Sequence, residues 1–221
     1  MNALVFTTTN PAELLSGMRH ARMAIGKGEV VCIPTDTSYA LVADAFNPVA
    51  LDKLRAARRM QDRAPLSVFL PGIPTLNALA ESVPEEVEAL ATEFWPGALT
   101  VIVRAGETLA WDLGDTAGTV ALRMPANRIA LELLSETGPL AQSSAFALGQ
   151  SPLVSPTAMA KRFEDSVSVI AAAGDEKTGK SLSTVIDATS LDSPQGKLRI
   201  VREGAISSLE IFRVVEADRF A

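Results

Sequence analysis

Runs rich in valine and isoleucine recur along the chain with helix-like segments between them, and this alternation restricts the fold more than any other feature of the sequence. Strands buried on both faces read as near-continuous apolar runs, so a series of them interleaved with helices calls for an α/β domain built on a substantial mixed sheet. The runs predict strands at 29–34, 67–71, 99–105, 119–125, 140–145, 166–172, 183–189 and 198–202, and helices at 11–26, 48–60, 84–94, 127–135 and 156–163. Pro11, Pro48, Pro84 and Pro156 open four of those helices, where proline's fixed φ suits the first turn and its missing N–H leaves nothing unpaired. The turn-forming residues at 191–197 punctuate two strands and give no reason to divide the chain, so residues 1–221 are expected to form one domain.

Several function classes fall away on counts alone. Cys32 is the only cysteine and His20 the only histidine, which excludes intrachain disulfides, zinc clusters and a Cys-His pair. A Ser-His-Asp triad would have to use His20, which stands in the helix-like stretch between Arg19 and Arg22, the setting of a solvated helix face. Twenty basic residues against twenty-six acidic ones give a net charge of −6, which disfavours broad nonspecific binding of nucleic acid and leaves room for a local basic pocket. No apolar run reaches the roughly 18 residues of a membrane span, and the first residues lack the basic start and cleavage site of a secretory signal. The expectation is a cytoplasmic protein without a membrane partner.

The stretch VVCIPTDTSYALVADAFNP at 30–48 runs from an apolar strand into Thr35, Asp36 and Thr37. These side chains suit an edge that holds a small polar ligand, and equally a turn capped by its own hydroxyls and carboxylate. A second motif, GDEKTGKS at 174–181, fits the phosphate-loop formula letter for letter. A phosphate loop leads straight into a helix whose N-terminus faces the phosphates, whereas Lys180 and Ser181 lead into the β-branched LSTVIDATS. A charged surface loop that closes over a nucleotide fits the context better.

Further motifs follow in order: EFWPGALTVIV at 93–103, TVALRMPAN at 119–127, SSAFALGQSP at 143–152, STVIDAT at 183–189 and IVREGAIS at 200–207. With the Pro34-Thr35-Asp36-Thr37 turn, this series resembles the YrdC/TsaC/YciO family over nearly the whole chain. The resemblance implies a single YrdC-like domain, a twisted mixed sheet flanked by helices with a concave ligand cavity. It implies an L-threonylcarbamoyladenylate synthase-like activity, in which ATP, L-threonine and bicarbonate give threonylcarbamoyl-AMP and pyrophosphate for the t6A modification of tRNA. By the same resemblance Thr37, Arg123, Ser144 and Ser183 face the threonine, while Arg58, Thr119 and Arg202 face the nucleotide. Magnesium is expected on the phosphates, and no protein side chain is assigned a catalytic or metal-ligating role. The chemistry agrees with the residue types, since a site that gathers several anions needs cations and N–H donors more than a protein nucleophile.

The chain also departs from the family pattern. In RAARRMQDRAPLSVF at 55–69, Arg58 takes the place of a lysine and Met60 that of an arginine, while Ala64 and Phe69 replace a polar and an imidazole side chain. Phe146 and Leu148 replace an asparagine and a serine, and Ala40 a glycine. Tyr39-Ala40-Leu41 and Val201-Arg202-Glu203-Gly204 resemble the YciO branch more than the synthases proper. The alternative that these changes raise is a paralogue that binds nucleotide or double-stranded RNA without efficient turnover.

Overall fold

The computed structural model describes residues 3–60, 63–146, 156–163, 165–172, 181–193 and 195–221. In chain order these form β1 (Leu4–Thr7), α1 (Pro11–Gly26), β2 (Val31–Pro34), β3 (Tyr39–Asp44), α2 (Pro48–Arg58), β4 (Ser67–Phe69), α3 (Ile73–Leu79) and α4 (Glu85–Phe94). There follow β5 (Leu99–Arg104), β6 (Thr119–Arg123), α5 (Arg128–Thr137), β7 (Leu140–Ser144), α6 (Pro156–Phe163), β8 (Val169–Ala172), β9 (Thr184–Asp187), β10 (Arg199–Arg202) and α7 (Ser208–Ile211). All ten strands join one mixed sheet in the order β1-β8-β2-β3-β7-β4-β6-β5-β9-β10.

Local chemistry sets the helix ends. Asn10, Asn47 and Asn127 each accept a backbone N–H of the turn they open, which places Asn127 before α5 rather than inside it. At the other end of α2, Arg59 takes a left-handed conformation at φ 52°, and the helix stops there instead of running on to residue 60. The sequence reading did not separate β1, β3, α3 or α7. β1 is four residues long beside a threonine run, and β3 begins only four residues after β2, so its apolar pattern merges with that of its partner.

Strand alternation sorts the side chains onto two faces. One face carries Cys32, Leu41, Val68, Val101, Leu122 and Ile186, and packs with α2, α3, α4 and α6 in the larger core. The other carries Phe6, Val31, Ile33, Val42, Phe69, Leu140 and Val169, sealed by Met18, Ala21 and Ile25 of α1 and by Ile129, Leu133 and Leu134 of α5. That seal ends near β4. Beyond it, the same face of β6, β5, β9 and β10 presents Ala121, Arg123, Thr100, Val185 and Arg202 to a hollow.

Candidate functional site

The hollow is a cavity of about 550 Å³. It is bounded by Thr35, Thr37 and Ser38 of the β2–β3 turn, by Arg58 and Met60 at the end of α2, and by Gln142, Ser143 and Ser144 of β7. Arg123, Thr100, Ser183 and Arg202 close it from the far strands.

The β2–β3 turn is held by its own hydroxyls. The Thr35 hydroxyl accepts the N–H groups of Thr37 and Ser38, at 3.2 and 3.1 Å, and donates to the Ser38 carbonyl at 2.5 Å. A self-capped turn and a ligand-facing edge, left open as alternatives by the sequence, are here the same object, because capping leaves the Thr37 side chain turned to the cavity. Its hydroxyl receives the Nη1 of Arg123 at 2.9 Å.

Arg123 is only 5% exposed. Its Nε donates to the Gly97 carbonyl at 2.9 Å, its Nη2 to Asp36 Oδ1 at 2.7 Å, and its guanidinium lies 5.8 Å from the centre of the Phe69 ring. The Trp95-Pro96-Gly97 stretch thus gains a physical reason. Trp95 is pinned by its indole N–H on the Leu99 carbonyl, and at Gly97 an added Cβ would lie 2.2 Å from the Phe94 carbonyl oxygen, so only glycine can bring its carbonyl to the arginine.

The closing motif is explained in the same way. Thr184, wholly buried, accepts the N–H groups of Gly204 and Ile206 and donates to the Ile206 carbonyl, which fixes the segment after β10. Gly204 admits this approach, since a Cβ there would sit 2.3 Å from the Leu182 carbonyl oxygen. Pairing between β10 and β9 shifts by one residue, so that Arg202 rather than Val201 stands opposite Val185. Regular pairing would turn Arg202 to the opposite face; the bulge aims it into the cavity and leaves Val201 exposed. Arg202 then donates from Nε to the Ser183 carbonyl at 3.0 Å and from Nη2 to the Ser183 hydroxyl at 3.1 Å. The Ser183 hydroxyl lies 2.9 Å from that of Thr100. Arg58 reaches the cavity from the other side and donates to the Ser143 hydroxyl at 3.0 Å.

Six of the seven residues singled out in the sequence, Thr37, Arg58, Arg123, Ser144, Ser183 and Arg202, therefore line one cavity. Thr119 is not among the lining residues. It shares a face of β6 with Arg123 but stands at the far end of the strand, opposite Arg104, and its hydroxyl donates to the Thr116 carbonyl at 2.7 Å. Sequence reasoning passed over Thr100 and Gln142, which alternation along their strands would have flagged as polar positions on the face of Arg123, and Ser143, which pairs with Leu41 on the other face of β7 and carries no such signal.

Among the described residues, three arginines and no aspartate, glutamate, histidine or cysteine line the cavity, in a chain whose net charge is −6. Burial pulls all three guanidinium groups below their ordinary value; the neighbouring Arg162 adds to this at Arg58, and Asp36 opposes it at Arg123. Arginine stays charged at any working pH, so these shifts record cations short of solvation, which an anionic ligand would relieve. A wider and shallower groove over Glu81, Arg104, Glu107 and Asp192 has no such imbalance, its arginine being paired with Asp192 at 2.5 Å.

The remaining candidates take structural places. His20 is exposed on α1, its Nδ1 2.8 Å from the Ser16 carbonyl. Cys32 is fully buried, and burial pushes its thiol up, which removes it as a nucleophile. Among the described residues, no group of three or more histidine, cysteine, aspartate or glutamate side chains is placed to hold a metal ion, and no helix is long and apolar enough to cross a membrane. Of the phosphate-loop-like motif, residues 174–180 lie outside the described residues, as does Leu148; Ser181 leads into strand β9 and not into a helix.

The family model Sua5/YciO/YrdC, described as telomere recombination, matches residues 23–204. The chain belongs to this family. Among Sua5/YciO/YrdC relatives, a Mycobacterium tuberculosis protein (strain CDC 1551 / Oshkosh), provisionally named a threonylcarbamoyl-AMP synthase, is 36% identical over 213 residues, covering 96% of this chain and 95% of its own. The crystal structure of P. abyssi Sua5 complexed with L-threonine superposes with a TM-score of 0.83 at 30% identity, over 98% of this chain and 61% of that one. The crystal structure of E. coli YciO superposes with a TM-score of 0.79 at 25% identity, over 94% and 98%. The YciO-like features at Ala40 and at 201–204 are thus accompanied by a likeness to Sua5 that is no weaker.

Proposed function

We propose that the cavity takes ATP and L-threonine side by side and forms threonylcarbamoyl-AMP with release of pyrophosphate, as a step in the t6A modification of tRNA. The observation that carries this reading is the convergence of Arg58, Arg123 and Arg202 with eight threonine or serine hydroxyls on one hollow that, among the described residues, holds no carboxylate. The likeness to proteins named threonylcarbamoyl-AMP synthases and to a Sua5 complexed with L-threonine supports it.

The threonine amine and bicarbonate give a carbamate and water. A carbamate oxygen then attacks the α-phosphorus of ATP as the bond to the β-phosphate oxygen breaks and pyrophosphate leaves. No protein nucleophile is needed, and positioning with charge neutralisation supplies the acceleration. Arg123 takes the threonine carboxylate, with the hydroxyls of Thr37, Ser144 and Ser183 around it. Arg58 and Arg202, on opposite rims, take the phosphates, and Thr119 enters only where the nucleotide runs out along β6. Magnesium, with no acidic ligand among the described residues of the cavity, is carried by the triphosphate.

The second reading, a binder without turnover, is favoured by one observation: Met60, Phe69 and Phe146 put apolar surface into the lining. Incubation with ATP, bicarbonate and L-threonine separates the two. The synthase reading expects pyrophosphate release that requires both L-threonine and bicarbonate. Binding of ATP and threonine with no pyrophosphate released would establish the binder instead.

A further inference from the structure

We propose that Asp36 is a positioning residue: it sets the orientation in which Arg123 meets an anion in the cavity. The inference rests on the reading above only for the identity of that anion, the carboxylate of L-threonine.

Asp36 is not itself part of the cavity wall, and its side chain is 19% exposed. Its Oδ1 accepts two N–H groups at once, Arg123 Nη2 at 2.7 Å and the backbone N–H of Ala126 at 3.0 Å. The second bond matters as much as the first. It ties the carboxylate to the backbone that leaves β6, only three residues beyond Arg123, so the group that orients the guanidinium is itself fixed to the same strand end.

A guanidinium carries five N–H groups in one plane. Among the described residues Arg123 uses three of them, on the Gly97 carbonyl, the Thr37 hydroxyl and Asp36, and the other two can serve a ligand. The Gly97 and Thr37 partners are neutral, and Phe69 supports one face of the plane without fixing rotation within it. Only Asp36 brings an opposite charge, and its bond is the shortest of the three. Among the described residues, the other two cavity arginines are held by Ser143 and Ser183, and Arg123 is the one whose direction is set by a carboxylate.

A carboxylate that merely balanced a buried cation would affect stability and leave recognition alone. A positioning carboxylate would affect both the order of the guanidinium and the affinity for its anion, with nucleotide affinity spared. The test compares the full-length protein with Asp36→Asn, which keeps an acceptor for Ala126 but loses the charge, and with Asp36→Glu, which keeps the charge on a longer arm. Hydrogen exchange of the Arg123 guanidinium, read from its side-chain ¹⁵N signals and assigned with Arg123→Lys, needs no ligand. L-Threonine and ATP affinities are measured by calorimetry on the same samples.

Asp36→Asn is expected to exchange the Arg123 guanidinium hydrogens at least about tenfold faster and to weaken L-threonine roughly 10- to 100-fold, with ATP affinity within about twofold, because a small misplacement of a binding group costs this much. Asp36→Glu is expected to recover part of both losses. Exchange and threonine affinity that both match the unmodified protein in Asp36→Asn would overturn the proposal, as would faster exchange with unchanged threonine affinity. Should Asp36→Asn fail to fold, the same two readouts on Asp36→Glu decide, and wild-type values there overturn it. If the unmodified protein binds no L-threonine, the proposed function fails, while the exchange measurement still upholds or overturns the hold of Asp36 on Arg123.

Discussion

One face of a single sheet is dry from β1 to β3 and hollow from β6 to β10, with β7 and β4 between them lining both. In the dry half, α1 and α5 lay Met18, Ile25, Leu133 and Leu134 onto Phe6, Val31, Val42 and Leu140. In the hollow half, the strands keep their hydrogen bonds and their apolar packing on the opposite face, yet present Arg123, Thr100, Ser183 and Arg202 where the other half presents valine and leucine. The difference lies in every second residue. In β6, Val120 and Leu122 belong to the core while Ala121 and Arg123 line the cavity, so a strand can serve stability with one set of side chains and recognition with the other.

This division can be broken from either side. The largest expected effect is in the dry half, where Leu133→Ala removes buried methyl groups and should cost about 2–5 kcal/mol of stability by denaturant unfolding. Threonine and ATP affinity of the folded fraction should stay within twofold, about 0.4 kcal/mol. The mirror-image change is Arg123→Ala in the hollow half. It is expected to weaken L-threonine by about 2 kcal/mol or more in calorimetry, since a charge-assisted partner is lost and Asp36 and Thr37 are left without their cation. Unchanged threonine affinity would remove Arg123 from the site.

A sharper comparison lies within the hollow itself. Arg202→Ala should weaken ATP about tenfold, one charge-assisted contact's worth. The smallest effect is expected from Thr119→Ala, whose hydroxyl is already bonded to the Thr116 carbonyl. Its ATP affinity should change by less than about twofold, within the range of substitutions away from a site. A loss equal to that of Arg202→Ala would show that the nucleotide reaches further along β6 than the cavity does.

What the sequence made legible follows the same division. Helices α1 and α6 appear with the bounds their proline starts imply, and eight of the ten strands are recognisable as apolar runs, all but the largely exposed β10 having at least one buried residue. β1 and β3 escaped, the first for being short beside polar residues and the second for following β2 through a tight turn. In the site, the ordered motifs pointed to residues that converge on one cavity, since a glycine such as Gly97 or Gly204 marks a backbone approach that no other residue permits. The partnerships were not legible. Nothing in the spacing of Asp36, Arg123 and Ala126 announces a shared carboxylate oxygen, because that contact exists only after the β2–β3 turn and the end of β6 have been brought together by the sheet. The bulge at Val201 was equally hidden, as it depends on register and not on residue type.

The central claim is that adenylate and amino acid meet in the hollow half of this sheet face. A crystal structure of the protein soaked with ATP and L-threonine tests it most directly. The amino-acid carboxylate is expected on Arg123 and phosphate oxygens within hydrogen-bonding reach of Arg58 or Arg202, inside the cavity. Ligand density on the open groove by Arg104, or a filled cavity in which Arg123 touches neither ligand, would contradict it.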